Sequence, residues 1–372
     1  MLSFFATVSI IWFGAHAYLG SALASAFSLA TLPAVGAACV GGAAALAGLI
    51  YGRGTVRGAR WIAMWLAFVH MGLLATTFVF VVVAQLLAAA LSLVLGDAAL
   101  PLVQLAFFSA FFVSMVSLAV GAQAAEVKRV EVPCDDLHPD LQGYRIAVLA
   151  DLHVGGPTTR RQFEAVVDQV LALDADLIAF AGDLVDGSVE VLAKEVTALE
   201  RLRARDGAYF VTGNHEYYSN SKRWEEVVAS HGVTVLNNTH RVVSVGDARL
   251  LVAGVTDTTA YQFIPNDRSD PHAARAGSPR CDFDLLLAHQ PASILDAARA
   301  GYDLQVSGHT HGGQFFPFTL LVGLFNMYSR GLNRHDSTWI YVTKGSATWG
   351  PPMRLGARTE VTLLTLQQAP QA

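Results

Sequence analysis

Hydropathy divides this chain near residue 125. Before Glu126 the charged side chains are Arg53, Arg57, Arg60 and Asp97; after it, charges come at an ordinary density. Crossing the hydrocarbon core takes about 20 mostly apolar helical residues. Four stretches satisfy this, 2–23, 32–51, 61–87 and 100–122, and each is expected to be a membrane-spanning helix. The breaks between them hold Pro33, an arginine loop at 52–60, and Gly96-Asp97 ahead of Pro101.

From Val127 the pattern changes to alternation and short apolar runs. "VKRVEV" (127–132) has the period-two spacing of a strand, and "RIAVLAD" (145–151) reads as a buried strand. Thr158-Thr159 can cap a helix that places Phe163, Val166, Val167, Val170 and Leu171 on one face. A strand at 176–183, a helix over 189–203, a strand at 208–215 and a helix near 224–230 follow. Beyond them the chain turns β-rich: "VTVLN", "RVVSV", "RLLVAGV", "FDLLLAH", "DLQVSGH", "WIYVTKG" and "EVTLLTL". The pattern predicts a transmembrane region over 1–124 and an α/β domain over 125–368, built as a layered sandwich.

Charge orients the first part. Arg53, Arg57 and Arg60 share one short loop, and Lys128 and Arg129 follow the fourth span. The positive-inside rule places both clusters in the cytoplasm, so four spans put the α/β domain on the cytoplasmic face of the inner membrane and Asp97 outside. "MLSFFATVSI" has no basic region of the kind a cleaved signal needs. Within the spans the strongly polar residues are His16, His70, Gln85 and Gln104, too few for a transport pathway; an anchor is expected. A formal net charge of −5 without a basic tract excludes nucleic acid as a partner, and three cysteines (Cys39, Cys134, Cys281) form neither a disulfide framework nor a thiolate metal site.

The polar residues at the strand ends carry the chemistry. Asp151, Asp183, Asn214, His289 and His309 each sit at or just past the end of an apolar run, where open α/β sheets bind ligands. They belong to "ADLHVGG" (with His153), "AGDLVDG" (with Asp186), "TGNHEYY" (with His215), "AHQP" and "GHTHGG" (with His311). Residues i and i+2 of a strand share a side, so Asp151 with His153, and His309 with His311, can each serve one cation. Singly, each piece has an ordinary reading as a turn, a helix cap or a packed histidine. Carboxylate, amide and imidazole donors without thiolate suit Mn²⁺, Fe²⁺/Fe³⁺ or Zn²⁺.

The ordered set D-x-H, G-D, G-N-H, H, G-H-x-H resembles the calcineurin-like metallophosphoesterase superfamily over roughly 126–366. "LQGYRIAVLADLH", "DLLLAHQP", "DLQVSGHTHGGQ" and "RLGARTE" add a likeness to its membrane-anchored bacterial branch and to transmembrane proteins that carry this domain. The resemblance implies a four-layer α/β/β/α sandwich with two divalent metal ions, manganese being the expected one. Asp151, His153, Asp183 and His311 would hold the first; Asp183, Asn214, His289 and His309 the second. His215 would assist the leaving group, with Asp186 orienting it. A metal-bridged hydroxide would then hydrolyse a phosphoester or pyrophosphate. Related phosphoprotein phosphatases place an arginine after the second aspartate; here Gly187 stands there, against a phosphoprotein substrate.

"FFPFTLLVGLFNMY" (315–328) follows the histidine pair. It reads either as a strand or loop packed in the core, or as an apolar rim touching bilayer or acyl chains through Phe318, Leu320, Leu321, Leu324, Phe325 and Met327. The second reading leads to a lipid-linked substrate such as UDP-2,3-diacylglucosamine, by analogy with the lipid A synthesis pyrophosphatases that some anchored relatives resemble. The alternatives are a soluble cyclic nucleotide or nucleotide phosphodiesterase, and a catalytically decayed membrane interaction domain. Tyr217, Tyr218, Asn220, Arg330, Asn333, Arg334, Lys344 and Arg354 are further candidates for the substrate side.

Overall fold

The computed structural model describes residues 2–52, 55–95 and 100–370. Arg53 and Asp97, used above for orientation, lie outside the described residues. The chain forms two compact units, Met1–Ala122 with Gly350–Leu355, and Gln123–Trp349 with Gly356–Ala372.

The first unit holds four long helices: α1 (Leu2–Phe27), α2 (Thr31–Gly52), α3 (Gly58–Leu95) and α4 (Leu100–Gly121). All four are long and apolar enough to cross a bilayer. At 38 residues α3 outruns its expected bounds, because "AAALSLVL" continues the apolar text with good helix formers and no breaker. Ile10, Val40, Leu86 and Phe112 project outward, as lipid-facing positions do. The four strongly polar residues, His16, His70, Gln85 and Gln104, find partners within the unit. His16 Nε2 and His70 Nε2 lie 2.8 Å apart, and His16 Nδ1 donates to the Trp12 carbonyl at 2.7 Å. Tyr18 donates to Gln85, and Gln104 to the Ala26 carbonyl. Residues Gly350–Leu355 fold with these helices through Arg354 N–H, which donates to the Ser117 carbonyl at 2.8 Å. Arg354, one of the substrate-side candidates, is itself fully buried.

The second unit contains two six-stranded sheets. In chain order its strands are β1 (Glu126–Cys134), β2 (Arg145–Leu149), β3 (Leu177–Phe180), β4 (Ala208–Phe210), β5 (Thr234–Val235), β6 (Thr239–Val245), β7 (Ala248–Gly254), β8 (Phe283–Leu287), β9 (Leu304–Ser307), β10 (Gly331–His335), β11 (Thr338–Val342) and β12 (Glu360–Gln368). One sheet runs β1-β12-β2-β3-β4-β5 and the other β10-β11-β9-β8-β7-β6. In the first, β2 to β5 are mutually parallel and β12 runs antiparallel to β2; in the second, β7, β8, β9 and β11 are parallel, with β6 and β10 antiparallel at the edges.

Alternation sorts each strand between two packing layers. Ile146, Val148, Leu177 and Ala179 meet Leu250, Val252, Leu285, Leu287, Leu304 and Val306 in the core between the sheets. From the opposite face of the second sheet, Leu251, Ala253, Leu286, Ile340 and Val342 pack on Ala274, Ile294 and Ala297 of the helices Pro271–Arg275 and Ile294–Ala300. Helix α5 (Arg160–Leu171) has the foreseen face, with Phe163, Val166, Val167 and Val170 buried and Leu171 half-buried. Thr159 and Gln162 close its N-terminus as a capping box. These layers are the mixed α/β architecture expected from the pattern.

Two local expectations change. The helix over 189–203 is broken into Val189–Leu192 and two 3₁₀ turns, Ala193–Glu195 and Thr197–Arg201. The run 315–328 packs at its ends, where Phe315 is buried and Tyr328 lies against the core of the second sheet, and opens to solvent between them. After buried Phe315 it forms the helical turns Phe318–Leu321 and Val322–Leu324, which bury nothing. Leu320, Leu324, Phe325 and Met327 are 68–83% exposed and Leu321 is 38% exposed, whereas Phe318 stacks edge-on against Phe315 at 5.2 Å.

Trp224, fully buried on the helix Ser221–Ser230, donates Nε1–H to the Gly187 carbonyl at 3.0 Å, just after Asp186. Trp224→Ala is expected to destabilise the sandwich by about 3–5 kcal/mol through the cavity and the orphaned carbonyl. Urea unfolding monitored by circular dichroism measures it.

Candidate metal centre

The strand ends predicted to carry chemistry converge. Strands β2, β3 and β4 of one sheet lead to Asp151, Asp183 and Asn214; β8 and β9 of the other lead to His289 and His309. The loops after β2 and β3 are zipped together: Asp151 N–H donates to the Gly182 carbonyl at 3.0 Å and Leu152 N–H to Asp183 at 2.8 Å.

The side chains form two groups that meet at Asp183. Asp151, His153 and His311 have ligand atoms mutually within 4.8 Å, and so do Asp183, His289 and His309. His153 Nε2 lies 3.1 Å from His311 Nε2 and 3.8 Å from Asp183 Oδ2; His311 Nε2 lies 3.8 Å from Asp151 Oδ1. On the other side His289 Nε2 lies 3.1 Å from the same Asp183 Oδ2 and 3.2 Å from Asn214 Oδ1, which is 3.1 Å from His309 Nδ1. One carboxylate oxygen therefore touches both groups. His289 Nδ1 donates to the Ala181 carbonyl at 2.8 Å, which leaves the Nε2 lone pair facing the centre. Buried carboxylates, an amide oxygen and imidazole lone pairs directed at common points are a donor set that fits divalent cations.

His153 and Asp151 do not converge by strand alternation as expected. Both lie beyond β2, and Asp151, His153, Asp183, His309 and His311 all adopt left-handed φ of 55°, 47°, 56°, 72° and 49°. Such conformations cost about 1–3 kcal/mol each for residues with a Cβ and collect at functional sites. Two glycines make room for the carboxylates. A Cβ on Gly213 would stand 2.1 Å from Asp183 Oδ1, and one on Gly308 would stand 2.5 Å from Asp151 Oδ2. Backbone donors then hold both acids: His215 N–H to Asp183 Oδ1 and His309 N–H to Asp151 Oδ1, each at 2.9 Å.

Asp186 does more than its place in the motif suggested. Its Oδ1 receives His215 Nδ1 at 2.6 Å and also His153 Nδ1 at 2.8 Å. Burial acts to raise the Asp186 pKa, but the charges and hydrogen bonds of His153 and His215 hold it well below the usual carboxylate range. Burial pulls His215 down, yet the Asp186 hydrogen bond and the charges of Asp183, Asp186 and Glu216 raise it to about 9. Burial is the largest of the effects that lower His309, to about 4.

Glu216 escaped the motif reading. It is fully buried and accepts backbone N–H groups of Gly213 (2.7 Å), Leu184 (2.8 Å), Asp183 (3.0 Å) and Val185 (3.3 Å), tying the Asp183 loop to the Asn214 loop. Its place after "NH" gave a signal as a helix-start acid, without showing that its donors come from another strand. Of the other substrate-side candidates, Tyr218 reaches the centre, accepting Asn214 Nδ2–H at 3.2 Å. Tyr217 is buried, Asn220 caps the helix Ser221–Ser230, Lys344 pairs with buried Glu360 at 2.9 Å and Arg334 with Asp135 at 3.0 Å. Arg330 and Asn333 bond backbone carbonyls of Gly356 and Arg330.

Residues 144–313 match the family model described as calcineurin-like phosphoesterase. The chain is 38% identical over 268 residues to the transmembrane protein with metallophosphoesterase domain of Bos taurus, covering 69% of this chain and 60% of that one. It is 34% identical to an uncharacterized metallophosphoesterase of Helicobacter pylori, over 68% of this chain and 66% of the relative. It thus spans about three fifths of the bovine protein's length. Among solved structures, the Thermus thermophilus sulfate thiohydrolase SoxB aligns with a TM-score of 0.39 at 16% identity, covering 62% of this chain and 58% of that one.

Gly308→Ala is expected to displace Asp151 and to remove much of the bound metal while leaving the secondary structure in place. Metal content by plasma mass spectrometry, compared with circular dichroism of the same sample, checks it.

Proposed function

Because this chain belongs to the calcineurin-like metallophosphoesterase family and is a membrane protein, we propose that it hydrolyses a phosphoester or pyrophosphate bond at the strand-end centre. The observation that carries the reading is Asp183 Oδ2, 3.1 Å from His289 and 3.8 Å from His153, which joins the two ligand groups. Asp151, His153, Asp183 and His311 would hold one divalent ion, and Asp183, Asn214, His289 and His309 the other. When bound, such ions neutralise phosphoryl charge and supply a nucleophilic water at neutral pH; manganese is the expected metal.

The remaining chemistry belongs to the chain. His215 uses Nδ1 to bond Asp186, so its Nε2 is free to hold the proton destined for the departing oxygen. Asp186 fixes that ring and the ring of His153 through one oxygen, coupling the acid to the metal ligands. All proposed ligands and His215 are present, which weighs against a decayed interaction domain. Gly187, where phosphoprotein phosphatases have an arginine, leaves the phosphate without a guanidinium from that loop and argues for a small or lipid-linked substrate.

The exposed ridge of Leu320, Leu321, Leu324, Phe325 and Met327 supports the lipid-linked reading. An apolar patch on a domain tethered to membrane helices is suited to bilayer or acyl contact. Arg57, Arg60, Lys128 and Arg129 support a cytoplasmic placement of the domain in the inner membrane. UDP-2,3-diacylglucosamine is then the substrate to try first, and a soluble nucleotide diester the second.

Detergent-purified protein with Mn²⁺ is expected to turn over bis-p-nitrophenyl phosphate, and UDP-2,3-diacylglucosamine if the lipid reading holds. His215→Ala and Asp183→Asn should each reduce kcat/KM by about 100-fold or more. Turnover of the small diester alone would discard the lipid substrate; turnover of neither, with metal bound, would discard the enzyme reading. The acid form of His215 is the active one, so kcat/KM should fall as pH rises through its pKa. Asp186→Asn removes an interaction that raises this pKa and should move the basic limb to lower pH in a pH–rate profile.

A further inference from the structure

Two aromatic side chains flank His215. The Tyr218 ring lies 5.0 Å from the imidazole, and the indole of Trp349 lies 6.0 Å away at a steep angle. Both are half open to solvent, at 58% and 50% exposure, while Trp224, Phe163, Phe180 and Phe210 of the same unit are fully buried. Phe263, 46% exposed, packs against Tyr218 at 5.5 Å and extends the wall.

The two rings are held in place rather than left loose. Asn214 donates Nδ2–H to the Tyr218 hydroxyl at 3.2 Å. Gln314 grips the backbone of Trp349 at both ends, accepting its N–H at 3.0 Å and donating to its carbonyl at 2.9 Å. Gln314 closes the "GHTHGGQ" run in a left-handed conformation, φ 59°, so this clamp ties Trp349 to the loop that carries His309 and His311. Each ring is thus fastened to a loop that also bears proposed metal ligands.

We propose that Tyr218 and Trp349 form the leaving-group subsite and select a substrate whose departing oxygen carries a flat aromatic group. The inference rests on the phosphoesterase reading above. In that reaction the P–O bond breaks with its electron pair remaining on oxygen, His215 gives that oxygen a proton, and water supplies the hydroxyl gained by phosphorus and the proton that restores His215. The group on the departing oxygen must therefore lie beside His215, where these two rings stand. Exposed aromatic faces stack flat π-systems better than they contact saturated rings of equal size. A nucleoside or aryl leaving group has that chemistry; a bare alkyl alcohol does not.

The test is calorimetric binding of two non-hydrolysable phosphonates of matched size, benzylphosphonate and cyclohexylmethylphosphonate, to the Mn²⁺-loaded full chain in detergent. The wild type is expected to bind the benzyl compound about fivefold more tightly. Tyr218→Leu with Trp349→Leu should bring the ratio close to one, and Tyr218→Phe, which keeps the ring, should preserve it. Equal affinities in the wild type, or a preference that survives loss of both rings, would overturn the proposal. Turnover of bis-p-nitrophenyl phosphate by the same preparation separates the two claims. Turnover with equal affinities removes only the subsite, whereas an aromatic preference without turnover removes the phosphoesterase reading and with it the leaving-group role, leaving only a site that binds flat rings.

Discussion

Asp183 is a carboxylate buried where two sheets end, and the surrounding structure compensates it. An ionised carboxylate in such a place costs several kcal/mol unless charge or hydrogen bonds meet it. Here imidazoles from both groups approach one of its oxygens, His215 N–H donates to the other, and Gly213 leaves out the Cβ that would collide with it. Asp151 repeats the arrangement with His311, the His309 N–H and Gly308. The left-handed backbone at five of the proposed ligands is a further cost, borne because two six-stranded sheets with a fully buried core fix the positions from which those loops start. The rigid part of the molecule thereby holds the strained part in register.

Much of this was legible in the sequence. Apolar runs ending in Asp, Asn or His marked β2, β3, β4, β8 and β9, because a strand's hydrophobic pattern and its last residue are both local properties. Capping at Thr159 and the buried face of α5 were local too. What could not be read was set by neighbours distant along the chain. Glu216 receives its donors from the loop after β3, and Trp349 reaches His215 through a loop fastened by Gln314. Spacing alone placed Asp151 and His153 on one side of a strand, whereas a pair of left-handed residues brings them together. The run 315–328 stayed open between packed core and exposed rim because hydropathy does not distinguish the two; the fold leaves its two helical turns without a buried residue.

The two units follow different rules for polar groups. In the helical unit His16, His70, Gln85 and Gln104 are paired with one another's helices or with carbonyls, so that apolar helices satisfy their polar groups internally. In the sandwich unit the polar groups at the strand ends converge on shared points and are held there by other side chains. Apolar ridge and aromatic wall also differ in kind. The ridge is mainly aliphatic, suited to fluid chains, whereas Tyr218 and Trp349 are flat surfaces fixed beside His215, the proposed proton donor.

The central claim is that Asp183 is shared by two metal ions. Anomalous diffraction at the manganese edge, on crystals of the chain grown with Mn²⁺, tests it most directly. The account requires two peaks, one among Asp151, His153 and His311 and one among Asn214, His289 and His309, with Asp183 contacting both. A single peak, or two peaks of which Asp183 touches only one, would contradict it.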